Sequence, residues 1–326
     1  MNSRTQSLLV GLVAGLASAL LVLASGDWSA LSVLLSACAT LPVLIAGLGW
    51  SNFAGTVSVA AATALIAVTV SPLGAVMIAV TTLGPAAWIA HLSNLARPAE
   101  ELGGPSGQMA WYPLSDIMLH LCGLVSLSLI ILGIVIGYGE ETVRPFVDYF
   151  IEVMGEQNPD FKPDDVSADE MAAFMTRVLP AAQAAMWVLI LFAGWYLACG
   201  IVRVSGRAKR PADIIPTGLR MSRIAMLIFG AGLALGFVGG PIGLIGSVIS
   251  GAFAGGFILA GLAMLHHRTF GRPWRFLALW FTYAAIFILF PLPLIVFLFT
   301  GLFETVRTAP LSPPGSGSSN SSNQSN

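Results

Sequence analysis

Two residues near the middle of the chain have types and a spacing that suit proton chemistry. Asp116 and His120 stand four positions apart, one helical turn, at the start of an apolar run. At that spacing a carboxylate can orient and charge an imidazole, as a proton relay or a ligand site requires. The alternative, which we favour, is that Asp116 caps the helix and His120 lies at the membrane interface. An intramembrane enzyme using Asp116 and His120 is therefore the weaker hypothesis.

Other residues whose side chains could bind a ligand or take part in chemistry are few and lie far apart in the sequence. His91 and His266 each end an apolar run, where we expect interfacial anchors. A zinc site built from His91, His120 and His266 is the less favoured alternative, so we expect no metal. Glu304 and Arg307 stand three residues apart and could pair on one helix face. The candidate polar or ligand residues are Asp116, His120, His91, Glu304 and Arg307.

Signatures of soluble enzymes are absent from the sequence. It has no Gly-x-x-x-x-Gly-Lys-[Ser/Thr] phosphate loop, no His-Glu-x-x-His, no Gly-x-Ser-x-Gly and no Cys-x-x-Cys. The basic stretches are short and are explained by membrane topology, so nothing indicates a nucleic-acid partner. We expect a protein that is not an enzyme and uses no cofactor.

The composition is that of a membrane protein. Of the 326 residues, 56% are hydrophobic and 10% are charged, against roughly 25% charged in a soluble domain. Nine apolar runs approach the roughly 20 residues that a helix needs to cross the hydrocarbon core. They cover residues 8–24, 31–49, 53–71, 73–92, 117–137, 178–202, 224–239, 241–265 and 276–303. The sequence predicts an all-α, polytopic transmembrane helical bundle of about nine spans, within a range of eight to ten.

Arginine and lysine predict how the chain is threaded through a bacterial inner membrane. Residues 203–223 and 266–275 hold nine of the fifteen basic residues, so both loops should be cytoplasmic. Counting spans backwards places 138–177 in the periplasm. It also places the N-terminus in the cytoplasm, provided that run 8–24 is a retained helix and not a signal peptide.

The last run, residues 276–303, is interrupted by Pro291 and Pro293. It is either one kinked span or a short helical hairpin, which leaves the side of the C-terminus open. We expect one integral membrane domain over 1–309, followed by a Ser- and Asn-rich disordered tail over 310–326.

The periplasmic segment 138–177 contains ten of the sixteen acidic residues and predicts two amphipathic helices. Apolar residues form a helical stripe over 143–154. Ser167 and Glu170 then form a capping box for a second helix, which continues into the next span. The simplest interpretation is that both helices cover the ends of the bundle. A more specific interpretation is that the two helices form a lid or dock a partner.

Small residues at four-residue spacing predict close helix packing in lipid. The first run has such a series in Gly11, Gly15 and Ala19. The series in the seventh and eighth runs predict the closest contact in the protein, although the same glycines could instead line a cavity. Those residues are Gly232, Gly236, Gly240, Ser247, Gly251 and Gly255.

The C-terminal half carries four motifs in a recognisable order. They are RVSGRAKRP at 203–211, GLAMLHH at 261–267, FPLP at 290–293 and GLFETVR at 301–307. Over residues 178–308 this order resembles the YybS-like bacterial membrane proteins, the family labelled domain of unknown function 2232. Arg307 follows Glu304 more closely than that family's final motif has it. The resemblance implies a distant similarity to the substrate-binding membrane subunits of energy-coupling-factor vitamin transporters, which are compact bundles that rely on a separate ATPase.

The leading functional hypothesis is a transporter component, or a transporter-like small-molecule binder, without its own ATPase. The observations that favour it are the short, glycine-rich spans and the broken last helix, because broken helices frame the substrate in many transporters. Its partners would be the lipid bilayer, a small-molecule ligand and a separate energy-coupling protein. The alternative is a membrane scaffold or assembly protein that docks a partner through residues 140–177.

Overall fold

The computed structural model describes residues 3–26, 30–137, 139–157 and 167–307, which are mostly helical. A π-helical turn at Ala79–Leu83 separates α5 from α6, and a short antiparallel pair, β1 (Ala96–Pro98) and β2 (Met109–Trp111), connects α6 to α7. The helices are α1 Ser3–Leu23, α2 Ala30–Cys38, α3 Thr40–Gly49, α4 Asn52–Thr69, α5 Pro72–Ile78, α6 Gly84–Ser93, α7 Leu114–Ile136, α8 Glu140–Gln157, α9 Ala168–Val204, α10 Ile215–Gly218, α11 Arg223–Gly236, α12 Gly240–Thr269, α13 Arg275–Ile288 and α14 Leu292–Arg307.

Six of the described helical segments are long and apolar enough to cross a membrane. They are α1, α4, the unit from α5 to α6, α7, α9 and α12. The all-α class predicted from the sequence is confirmed, and these six helices support a multi-pass membrane protein, whereas the count of nine spans is not confirmed. The remaining apolar helices, α3 with the end of α2, α11, α13 and α14, are shorter.

Prolines explain two of the shortened spans. The run at 31–49 divides into α2 and α3 just before Pro42, which has no N–H to donate to the Cys38 carbonyl. The run at 276–303 divides into α13 and α14, with the break at 289–291, so the interruption predicted at Pro291 is confirmed. The predicted tail at 310–326 lies outside the described residues.

Glycines bring α1 and α4 into direct backbone contact. A Cβ atom added at Gly11 would lie 2.7 Å from the Ala54 carbonyl oxygen, and one at Gly15 would lie 2.5 Å from that of Ser58. From the first contact to the second, the residue numbers rise by four on both helices, so α1 and α4 run parallel. They pack at a distance that no larger residue would allow.

The central helix α12 is the most buried of the membrane-length helices. Its glycines allow close contact with more than one neighbouring helix. Gly246 meets Gly236 of α11, whereas Gly251 and Gly255 meet Ala181 and Ala185 of α9. The predicted close contact between the seventh and eighth runs therefore accounts for only part of this packing.

The three other residues of the predicted small-residue series have different roles. Gly232 of α11 does pack on α12, where an added Cβ would lie 2.8 Å from the Ser250 nitrogen. Gly240 starts α12 with a φ of +57° and open space around it, so it serves the turn and not the packing. Ser247 lies near Gly236, 4.0 Å from where that residue's Cβ would be.

Residues 168–177, which the sequence assigns to the periplasm, belong to the same helix as the sixth apolar run. α9 has 37 residues, which corresponds to about 55 Å, well beyond the roughly 30 Å of a hydrocarbon core. Its start is capped as predicted, because the Ser167 hydroxyl accepts a hydrogen bond from the Glu170 N–H. The predicted turn at 158–163 lies outside the described residues.

The π-turn leaves two backbone carbonyls without their usual donors. The Gly84 N–H donates to the Ala79 carbonyl, five residues back, and Pro85 has no N–H. The carbonyls of Val80 and Thr81 therefore lose the donors four residues ahead. Side chains from other helices replace them: Ser128 Oγ donates to the Val80 oxygen at 2.8 Å, and Trp187 Nε1 to the Thr81 oxygen at 3.0 Å.

This replacement predicts a non-additive effect on stability. Trp187→Phe should destabilise the protein by about 1–3 kcal/mol, because it leaves a buried carbonyl without a donor. In a Pro85→Ala background residue 85 regains an N–H, so the same substitution should cost measurably less. Denaturant titration in detergent measures both, with Trp280→Phe, at an exposed tryptophan, as the control. An equal loss in the two backgrounds would contradict the account.

Candidate functional site

His120 is hydrogen-bonded to a tyrosine and not to the aspartate predicted as its partner. Its Nε2 atom lies 3.1 Å from the Tyr112 hydroxyl, and its ring packs edge-on against Trp88. Within the described part of the chain, Asp116 makes no hydrogen bond to His120, and α7 begins without a side-chain cap. Neither the relay nor the capping role predicted for Asp116 is therefore formed, although its charge lies favourably in the first turn of α7.

The predicted histidines separate into two places. His91 stacks on Trp88 with ring centroids 5.6 Å apart, so it joins the aromatic cluster around His120. His266 lies elsewhere, with Nε2 2.9 Å from the Tyr283 hydroxyl. No three His, Cys, Asp or Glu side chains among the described residues converge on one point, so the alternative zinc site is not formed there.

Glu304 is tied to the basic loop. One of its oxygens lies 3.4 Å from an Arg220 nitrogen, which joins α14 to the segment before α11. The side chain of Arg307 lies outside the described residues, so its predicted pairing with Glu304 stays a prediction.

The break before α14 does not frame a polar site. None of the described side chains of α13 is buried. The pocket beside the break has Thr282 as its one polar side chain, and its other lining residues are Ala285, Leu292, Pro293, Val296 and Phe297. The expectation that a broken last helix frames substrate therefore finds no support in the lining.

The external helix α8 packs along the start of α9. Val143 and Val147 are buried against Ala172, and Arg144 pairs with Asp148 on its own helix and with Asp169 on α9. The hydrogen bonds to these two carboxylates raise the pKa of Arg144. Among the described residues, α8 therefore packs mainly on α9. Whether the two helices also cover the ends of the bundle stays a prediction.

The predicted apolar stripe of α8 has two edges with different surroundings. Val143 and Val147 form the buried edge. Phe146, Phe150 and the neighbouring Tyr149 remain exposed, and Phe174 of α9 is exposed as well. An aromatic surface is therefore available on α8 and residues 168–178. We call these residues the external hairpin, after the side of the membrane that the sequence predicts for them.

The loop 203–223 is anchored to the bundle and not free in solution. Lys209 Nζ donates to the Trp50 carbonyl at 3.0 Å, and Arg207 lies over the Trp50 ring, 4.3 Å from its centroid. Arg210 donates to the Tyr112 carbonyl at 2.7 Å and makes two hydrogen bonds to Asp213, of 2.7 and 2.8 Å. Residues that the sequence assigns to topology thus also bind backbone carbonyls beside α3 and α7.

A cavity of about 670 Å³ lies between this loop and the last turns of α9. We call it the basic-end cavity. Its volume falls within the roughly 300–1,000 Å³ typical of ligand sites. Apolar residues of α9 form most of the wall, whereas Ser93 and Asn94 supply polar groups from the end of α6. The other lining residues include Trp195, Leu197, Gly200, Ile201, Arg203, Val204, Lys209, Arg210 and Asp213.

Neighbouring helices hold the polar part of the cavity in place. The Asn94 side-chain amide donates to the carbonyls of Gly47 and Leu48, at 3.0 and 3.2 Å. Trp195 Nε1 donates to Ser93 Oγ at 2.8 Å, and that hydroxyl donates to the Ile89 carbonyl at 2.7 Å. These contacts join α3, α6 and α9, so the cavity has a rigid floor.

A second, smaller cavity of about 190 Å³ lies beside the π-turn, between α1, α2, α7 and α9. Its polar groups come from hydroxyls, an amide and an indole, and it contains no ionisable side chain. The polar lining residues are Ser25, Ser36, Thr81, Thr82, Gln183 and Trp187.

Sequence reasoning missed the basic-end cavity. Asp116, His120, His91 and Glu304, the four candidate polar residues whose side chains are described, do not line it. The available signals were weak: an Arg-Pro-x-Asp pattern at 210–213, and Asn94 just after an apolar run. Both describe helix ends or loops in general, and only the fold brings them together.

Comparisons with family models, curated proteins and solved structures found no match. The resemblance to the YybS-like family, and the transporter similarity that it implies, therefore stay predictions.

Proposed function

We propose that the chain is a multi-pass protein of a bacterial inner membrane, with loops 203–223 and 266–275 in the cytoplasm and the external hairpin in the periplasm. The clustering of nine basic residues in those two loops supports this orientation. The helix directions are compatible with it: α9 and α12 run parallel through the Ala181–Gly251 and Ala185–Gly255 contacts.

Thiol labelling tests this orientation. In a variant whose three native cysteines are replaced by alanine, a membrane-impermeant maleimide applied to spheroplasts should label Glu152→Cys. It should label Thr217→Cys only after permeabilisation. Both positions are exposed, so access to the side of the membrane decides the result. The reverse pattern would invert the threading.

We further propose that the protein binds a small molecule, as a transporter component or a transporter-like binder without its own ATPase. The observation that carries this is the basic-end cavity: about 670 Å³, apolar walls, and a few polar groups fixed by hydrogen bonds. Ligand sites commonly combine these features. The absence of a nucleotide-binding motif from the sequence supports a separate source of energy.

A cavity-filling variant tests the proposal. Gly200 lines the cavity, and a Cβ atom added there meets no atom within 4 Å. Gly200→Phe should therefore fill the cavity without a clash. A thermal-shift screen of vitamins and metabolites in detergent should find a ligand that raises the Tm of the unaltered protein by about 2–4 °C and does not raise that of Gly200→Phe.

The control is Gly123→Phe, on an exposed position of α7 where an added Cβ likewise meets nothing within 4 Å. It should respond to the ligand as the unaltered protein does. A flat screen, or a shift that survives in Gly200→Phe, would count against the proposed site.

A scaffold or assembly function is the second candidate, favoured by the exposed aromatic surface of the external hairpin. Phe146, Tyr149, Phe150 and Phe174 lie beside acidic residues, outside the segments that would cross the bilayer. Exposed aromatic groups of this kind are enriched at protein interfaces. A periplasmic partner with a basic, apolar face would fit.

Site-specific crosslinking tests this second function. A photoreactive residue at Tyr149 should give one discrete protein adduct in cells, and the adduct should weaken when Glu152→Lys reverses a neighbouring charge. The same probe at Val68, an exposed apolar position of α4, should give no such adduct. Identical adduct patterns at both positions would remove the scaffold hypothesis.

A further inference from the structure

The basic-end cavity opens toward the surface that a bilayer would cover. Leu197, Ile201 and Val204 line the cavity and are also exposed, Val204 to 91%. Exposed apolar residues on a helix of membrane-spanning length face acyl chains. A hydrophobic ligand therefore has a path from the lipid into the cavity that does not cross water.

The lining carries excess positive charge where α9 meets the loop. Arg210 and Asp213 neutralise each other through their two hydrogen bonds. Within the described part of the chain, the Arg203 guanidinium makes no hydrogen bond or ion pair, and the Lys209 ammonium group donates to the Trp50 carbonyl alone. Two cationic groups thus remain for an anion at the edge of a mostly apolar cavity.

We propose that the basic-end cavity retains one anionic phospholipid, with an acyl chain between the apolar walls and the phosphate against Arg203 and Lys209. This inference names the ligand class of the proposed small-molecule site and rests on that function. Guanidinium and ammonium groups both bind phosphate, the first through a planar pair of donors. A zwitterionic headgroup brings a cation of its own, which these residues repel, so the site should prefer lipids with a net negative charge.

Native mass spectrometry of the full chain in detergent tests the inference. The protein is titrated with phosphatidylglycerol or with phosphatidylcholine of the same acyl chains. The unaltered protein should retain one phosphatidylglycerol after the other lipids are removed. Arg203→Gln should reduce the preference for phosphatidylglycerol about fivefold to tenfold. Gly200→Phe should abolish retention of either lipid.

Two matched variants separate a built site from general attraction to basic loops. Arg268→Gln removes an exposed cation from the other basic loop, and Gly123→Phe adds the same ring outside the cavity. Both should retain phosphatidylglycerol normally. If Arg268→Gln lowers retention as much as Arg203→Gln, or if Gly200→Phe keeps the lipid, the inference is overturned.

The same measurements distinguish this inference from the function on which it rests. A metabolite shift that disappears in Gly200→Phe, with lipid retention independent of Arg203, would keep the small-molecule function and overturn the lipid inference. Retention that depends on Arg203 and Gly200, with a flat metabolite screen, would keep the lipid and remove metabolite binding.

Discussion

In a bilayer core no water is present to satisfy a backbone N–H or C=O group, so the protein must supply every partner itself. Much of this structure follows from that constraint. Serines at 51, 71 and 222 accept hydrogen bonds from the first turns of α4, α5 and α11. Where the π-turn and Pro85 free two carbonyls, Ser128 and Trp187 reach across from other helices. The irregular backbone persists because its polar groups have partners.

The same constraint gives the basic loop a second role. Lys209, Arg210 and Asn94 donate to carbonyls at the ends of α3 and just before α7, which fixes the loop against the bundle. Cations at such positions also interact favourably with the negative ends of helices. Charges that the sequence predicts to direct topology therefore also form one wall of the basic-end cavity.

The sequence predicted the features that depend on nearby residues. The apolar runs, the cap at Ser167 and the break at Pro291 follow from side-chain types within a few positions, and the structure has all three. The count of nine spans is not confirmed, because the length of an apolar run does not give the length of a helix: Pro42 divides one run. The predicted partner of His120 is wrong for a different reason. One-turn spacing places Asp116 on the same face, but the position of Tyr112 depends on the whole loop before α7.

The continuity of α9 couples two distant parts of the molecule. Its first turns carry the external hairpin, and its last turns form a wall of the basic-end cavity. Pro180 lies between them and has no N–H to donate to the Thr176 carbonyl, so that turn of α9 lacks one helical hydrogen bond. A force that tilts α8 would therefore either bend α9 at Pro180 or alter the width of the basic-end cavity at the other end of the helix.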